Sequence, residues 1–319
     1  MRQAGRYLPE YRDVRKNFKN FLEFCYTPEA ACEVTLQPIT RYGMSAAIIF
    51  SDILVIPDAL GMDVKFAEGH GPILTPVTEL SQLSKNHFNE KLAPVYEAIT
   101  LTRKNLPTET ALIGFCGLPW TLACYMIEGK GSRDFQNVRS CAHNRKDFFA
   151  GLIEILTQSV IDHSLAQIKA GAQAIQLFDS WAGVLSEEEF ADYSIAPTKK
   201  IVAAIKEKYP QVPVIGFPRL AGSKVIDYAK KTGVDSVSFD GSISLDVAKN
   251  QLQPLVIPQG NLDSVLLAED KPAMLNRAKN ILDTLSGKPL VFNLAHGILP
   301  HTPPENVQAL CELIQSYNK

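Results

Sequence analysis

The chain has 319 residues, 46% of them apolar and 21% charged, with a formal net charge of −2. That length and composition fit a globular protein with a sizeable core, built as one large domain or two ordinary ones. The near-neutral balance argues against a general nucleic-acid or membrane-surface binder, so any basic site has to be local.

The first twenty residues carry such a local site. The opening stretch "MRQAGRYLPEYR" begins a run in which Arg2, Arg6, Arg12, Arg15, Lys16 and Lys19 are offset only by Glu10 and Asp13, leaving +4. A run of this kind is usually a solvated face. Two arginines four apart around Gly5, before any core-forming segment, also suit the capture of an anionic ligand. The six cysteines include no C-x-x-C pair and lie in apolar or helical stretches, which predicts reduced, mostly buried thiols and a cytosolic setting. No run of 18 apolar residues and no charged-then-apolar leader suggests membrane spanning or export.

Further along, short apolar runs alternate with helical patterns. The runs are "AAIIF" (46–50), "ALIGFCG" (111–117), "AQAIQLFDS" (172–180), "VPVIGFP" (212–218), "DSVSFD" (235–240), "LVIPQGN" (255–261) and "LVFNLAHG" (290–297). Continuous apolar runs are expected of parallel strands covered on both faces. Between them, 148–171 has helical spacing and closes on Gly171. The segment 186–209 opens with Ser186 and Glu189 in capping-box positions, 221–233 ends on Gly233, and 304–317 starts on a Pro. Seven strand–helix units suit a doubly wound sheet or a (β/α)8 barrel. The barrel is the expected fold because no Rossmann fingerprint follows any strand. Residues 1–319 then form a single TIM-barrel domain whose eighth strand ends at Met1 and is largely missing, so the first strand reads as truncated.

Polar residues recur at the ends of these runs: Ser51 and Asp52, Asp179 and Ser180, Arg219, Asp240, Gln259 and Asn261, Asn293 and His296. Singly, each reads as a cap or loop residue. Repeated over six strands, they predict one barrel mouth, where active sites of this fold sit. In "FSDILVIPDALGM" (50–62), Asp52 stands between two apolar runs. It reads either as the cap of a short helix or as a lone acid at the floor of a cleft, meeting a cation or an N–H donor. In "GLPWTLACYMIEGKGS" (117–132), the phosphate-loop spacing fails. Trp120 reads as core; Tyr125 reads equally as core or as a hydroxyl facing the mouth. The six histidines form no zinc spacing, and no G-x-S-x-G is present, so neither a metal site nor a serine nucleophile is expected.

Taken together, "MRQAGRYLPEYR", "FSDILVIPDALGM", "PWTLACYMIEG", "LFDSWAG" and "NLAHGILP" resemble the signature segments of the uroporphyrinogen decarboxylase family, in order and at similar separations along the whole chain. The resemblance departs in one respect, since the family usually has a further stretch before the arginine motif. It implies a cofactor-independent, metal-free carboxy-lyase of haem biosynthesis, a cytoplasmic homodimeric TIM barrel. Its implied reaction removes the four acetate carboxyls of uroporphyrinogen III to give coproporphyrinogen III and CO2, with no nucleic-acid or membrane partner.

By the same resemblance, Asp52, Arg2 and Arg6 are the catalytic set. Arg2 and Arg6 hold substrate carboxylates, with main-chain groups of Gln3 and Ala4 adding contacts and Gly5 allowing close approach. Asp52 lies under the four inward-pointing pyrrole N–H groups. Phe21 supplies an apolar wall, and Tyr125, Ser180 and His296 bind peripheral carboxylates. Arg15 and Arg41 are weaker candidates and read as surface. Two other functions suit a similar barrel. One is a methyltransferase with a corrinoid or thiol acceptor, for which the expected His-x-Cys pair is lacking. The other is a tetrapyrrole binder without catalysis, which the set of mouth residues speaks against.

Overall fold

The computed structural model describes residues 3–67 and 71–317. Its strands are β1 (Ala46–Ile48), β2 (Val64–Ala67), β3 (Gly71–Leu74), β4 (Ala111–Gly117), β5 (Ala174–Asp179), β6 (Val214–Pro218), β7 (Ser236–Ser238), β8 (Ile257–Leu262) and β9 (Val291–Leu294). Seven of them form one sheet in the order β1-β4-β5-β6-β7-β8-β9, and every neighbouring pair is parallel. These seven strands coincide with the seven apolar runs. β2 and β3 make a separate antiparallel hairpin that the sequence pattern did not reveal.

The sheet curls, as a barrel requires. Gln176 on β5 and Gln259 on β8 are three strands apart in the sheet order, yet the Gln259 amide donates to Gln176 Oε1 at 2.8 Å. Both side chains also donate to the Ser238 hydroxyl on β7. All three residues are fully buried, so their polar atoms satisfy one another inside the barrel where water does not reach. Gln259, expected at the mouth, is therefore part of the barrel filling.

The Met1 end of the expected eighth strand lies outside the described residues. Among the described ones, the edge of β1 away from β4 is occupied by a side chain. Gln3 Nε2 donates to the Ala46 carbonyl at 2.8 Å, and Gln3 Oε1 accepts from Ile48 N–H at 3.0 Å. Residues 45 and 49 bond to β4, so 46 and 48 face the opposite edge, and the amide meets it as a neighbouring strand would. This anchors the basic N-terminal segment beside the strand that leads to Asp52.

Helices cover the outside of the sheet. The long helix Lys146–Lys169 ends two residues before the left-handed Gly171. Ser186 and Glu189 form the expected capping box: Glu189 N–H donates to Ser186 Oγ at 3.2 Å, and Ser186 N–H donates to Glu189 Oε2 at 2.8 Å. The following helix is Ala196–Lys208, and Lys224–Thr232 and Pro304–Tyr317 stand where the pattern placed them. One continuous apolar core joins these helices to the strands, with Trp120 wholly buried in it. All six cysteines are free thiols, four of them buried.

Candidate active site

The chain leaves β1 through Phe50 and Ser51 into Asp52, which is half-buried. Leu54 N–H donates to Asp52 Oδ1 at 2.9 Å, an Asx turn that leads into the short helix Val55–Ala59. The turn uses one oxygen and fixes the carboxylate at the strand end, while the helix itself starts from Leu54 with no side-chain cap. The Asp52 charge acts on Cys25, Tyr26 and Tyr125. The Cys25 thiol is pushed well up, first by burial and then by Asp52, with the Arg15 guanidinium opposing. The Tyr125 hydroxyl is pushed up to about 12, first by burial and next by Asp52. Asp52 thus reaches Tyr125, which stands on the helix Pro119–Glu128 that follows β4.

The N-terminal helices make an apolar wall beside the carboxylate. Phe50 is packed edge-on by Phe21 at 5.8 Å and by Tyr11 at 5.8 Å, and Phe24 lies at 4.6 Å. Phe21 also meets Phe66 of the β2–β3 hairpin at 4.8 Å. Phe21 is half-buried.

Of the arginine motif, Arg2 lies outside the described residues. Gln3 spends its side-chain amide on β1, and Ala4 is buried. Gly5 has open space around it, since an added Cβ would meet only the Tyr7 ring, at 3.9 Å. Arg6 is exposed and joins no ion pair among the described residues, while its carbonyl accepts from Arg12 Nη1 at 2.7 Å. Arg41, by contrast, is paired with Glu10 at 3.0 Å on the surface, and Arg15 donates to the Phe18 carbonyl at 2.6 Å.

On the far side, Ser180 follows β5 and is half-buried, and His296 follows β9 and is exposed. The His296 ring stands 6.4 Å from Phe217 of β6, and its carbonyl accepts from Ser264 Oγ at 3.2 Å. Other strand-end residues are structural. Asp179 is fully buried and accepts from Thr121 Oγ1 at 2.7 Å and Ser194 Oγ at 2.6 Å. Burial pushes its carboxyl up to about 6, against the two hydroxyls. Asp240 accepts the backbone N–H groups of Leu220 at 2.6 Å and Ser242 at 2.8 Å. Asn261 Nδ2 donates to the Asp240 carbonyl at 3.2 Å, and Asn293 Oδ1 accepts from Leu294 N–H at 2.8 Å.

Two residues outside the expected site join this end of the barrel. Trp181, next to Ser180, packs on Tyr125 and Phe135 with ring separations of 6.1 and 4.8 Å. Arg219, just past β6, is half-buried, and its charge draws the Tyr125 hydroxyl toward ionisation. Arg219 was visible as a strand-end cation; Trp181 carried no signal beyond a large apolar ring. Among the described residues, no group of three or more His, Cys, Asp or Glu side chains is placed to hold a metal.

Asp52, Ser180, Arg219 and His296 follow the C-terminal ends of β1, β5, β6 and β9, and Tyr125 stands on the helix after β4, so they share one end of the barrel. This end suits a ligand with a cationic or N–H-rich centre and anionic arms. The family model described as "Uroporphyrinogen decarboxylase (URO-D)" matches residues 1–317. The uroporphyrinogen decarboxylase of Rhodospirillum rubrum is 50% identical over 319 residues, covering 99% of this chain and 92% of that protein. That of Rickettsia felis is 47% identical over 321 residues, covering 100% of this chain and 92% of the relative. Among solved structures, a methyltransferase from Methanosarcina mazei superposes with a TM-score of 0.82 at 18% identity, covering 100% of this chain and 93% of the other, which is a likeness of fold.

Proposed function

The chain belongs to the uroporphyrinogen decarboxylase family, and from that premise we propose how its mouth residues divide the work. The protein is a carboxy-lyase of tetrapyrrole biosynthesis. It removes the four acetate carboxyls of uroporphyrinogen III, giving coproporphyrinogen III and four CO2. Enzymes of this family need no cofactor, and the substrate's chemistry explains why. Protonating a pyrrole ring carbon makes that ring cationic. The cation accepts the electron pair left as the acetate C–C bond breaks and CO2 departs. The exposed methylene carbon then takes a proton to become a methyl group, and the ring proton leaves.

The residue held to supply the stabilisation is Asp52. A fixed carboxylate beneath the macrocycle accepts from the inward N–H groups and favours the ring that turns cationic. Such preorganised charge is worth most where water is excluded. The observation that carries this role is the position of Asp52 at the end of β1, fixed by its Asx turn and electrostatically coupled to Tyr125 on the helix after the neighbouring strand β4. Asp52 acts as a stabiliser rather than as the sole acid. Arg2 and Arg6 hold carboxylate arms through guanidinium forks, a geometry that lysine does not reproduce. Phe21 bounds the ring, and Tyr125, Ser180 and His296 take peripheral carboxylates. The exposed, unpaired state of Arg6 supports its part.

Residues 1–319 act as one domain in this reading, which the single core supports. A cytoplasmic homodimer is the proposed setting. No helix among the described residues is long and apolar enough to cross a membrane. The test is to mix the purified protein with reduced uroporphyrinogen III without oxygen, oxidise the products and count their carboxyl groups. Accumulation of coproporphyrin III is expected. Binding with all eight carboxyls retained would contradict the reading and leave a tetrapyrrole binder.

A further inference from the structure

The loops after β5 and β6 are adjacent and locked together. Asp179 and Pro218 are register partners at the strand ends, and Arg219 N–H donates to the Asp179 carbonyl at 3.1 Å, which sets Arg219 beside Ser180. The next residue, Leu220, holds φ 58°, a left-handed conformation that non-glycine residues rarely adopt. The Asp240 carboxylate fixes it there by accepting Leu220 N–H at 2.6 Å. Gly183 closes the arrangement from the β5 side: a Cβ there would stand 2.8 Å from the Leu220 carbonyl oxygen and 2.7 Å from Leu220 Cβ. A strained turn held from two sides points to a side chain that has to be aimed.

The aimed side chain is a half-buried guanidinium that forms no ion pair among the described residues. The nearby Asp240 carboxylate is turned to backbone N–H groups instead. A second donor stands in the same corner. Trp181 Nε1 is buried with only the Tyr125 hydroxyl near it, and its own carbonyl is held by Trp120 Nε1 at 3.0 Å. Both flank Ser180 and face the Tyr125 hydroxyl. A half-buried cation with no counter-charge, beside an indole N–H that meets only a hydroxyl, favours an anion that meets both.

We propose that Arg219, with the Trp181 indole N–H beside it, forms a carboxylate subsite of the mouth that takes one peripheral carboxylate of the tetrapyrrole. This rests on the decarboxylase reading and adds binding residues to it. The subsite acts on substrate capture, and Asp52 acts on the chemical step.

Steady-state kinetics with uroporphyrinogen III tests this, on variants whose melting temperature matches the parent. Arg219→Gln is expected to raise KM by roughly 10- to 100-fold, the range for losing a hydrogen bond to a charged group, with kcat changed only a few-fold. Arg219→Lys is expected to recover part of that loss, because it keeps the charge without the fork. Trp181→Phe keeps the ring packing, removes only the N–H, and is expected to raise KM by up to roughly tenfold. An Arg219→Gln KM within twofold of the parent overturns the subsite, and an unchanged Trp181→Phe KM overturns the indole's part. Asp52→Asn, measured alongside, separates the two levels. If its turnover were normal, the catalytic reading would fail whatever Arg219 does.

Discussion

Asp179 shows why a strand-end carboxylate is not automatically catalytic. It sits one residue before Ser180, yet it is fully buried and its two oxygens are held by Thr121 and Ser194. Its role is to tie β5 to the helix that carries Tyr125. Burial raises its carboxyl from 3.8 to about 6 in the fold. A raised folded value means that the native state keeps the proton longer than the unfolded chain does. The associated stability is full below pH 3.8 and is lost as pH rises through about 6. Between pH 5 and 7.5 the loss is about 1–2 kcal/mol. Asp179→Asn lacks this dependence, so its stability relative to the parent should improve by that amount over the same interval, read from urea unfolding at both pH values. A difference constant with pH would show that Asp179 is ionised throughout.

At the scale of elements, the site depends on loops that meet at close range. Gly183 and the Leu220 turn leave no room for a methyl group. Gly183→Ala should therefore force the β5 and β6 loops apart, at a cost of about 1–3 kcal/mol for overpacking. Because Trp181 and Arg219 ride on those loops, KM should rise with it. The check is to measure melting temperature and KM together. A variant with parental values for both would show that the two loops are not in contact.

Elements were also where the sequence was most readable. All seven parallel strands announced themselves as apolar runs, because parallel strands are buried on both faces. The Ser186–Glu189 capping box was readable because its two partners lie three residues apart. The β2–β3 hairpin was not, since "VKFA" and "GPIL" are too short to show a period.

At the scale of the whole molecule, strand-end position identified the mouth but not which side chains enter it. Gln259 and Asp179 have the same place along their strands as the residues proposed for the mouth, but point into the barrel or toward a helix. That direction depends on how the sheet curls, which no local pattern records. Arg219 was legible as a cation and illegible as a ligand-facing one, because its lack of an ion partner is a property of the assembled fold. The site therefore emerges only when β1, β4, β5, β6 and β9 close on one another. The Gln3 amide on the β1 edge ties the N-terminal motif to the same assembly.

The account stands on the negative charge of Asp52, and Asp52→Asn isolates that charge, because asparagine keeps the Oδ1 acceptor that Leu54 N–H requires. Single-turnover decarboxylation of uroporphyrinogen III under anaerobic conditions should slow by roughly 10²- to 10³-fold in this variant while substrate still binds. A rate within a few-fold of the parent would show that the carboxylate only shapes its turn, and would contradict the account.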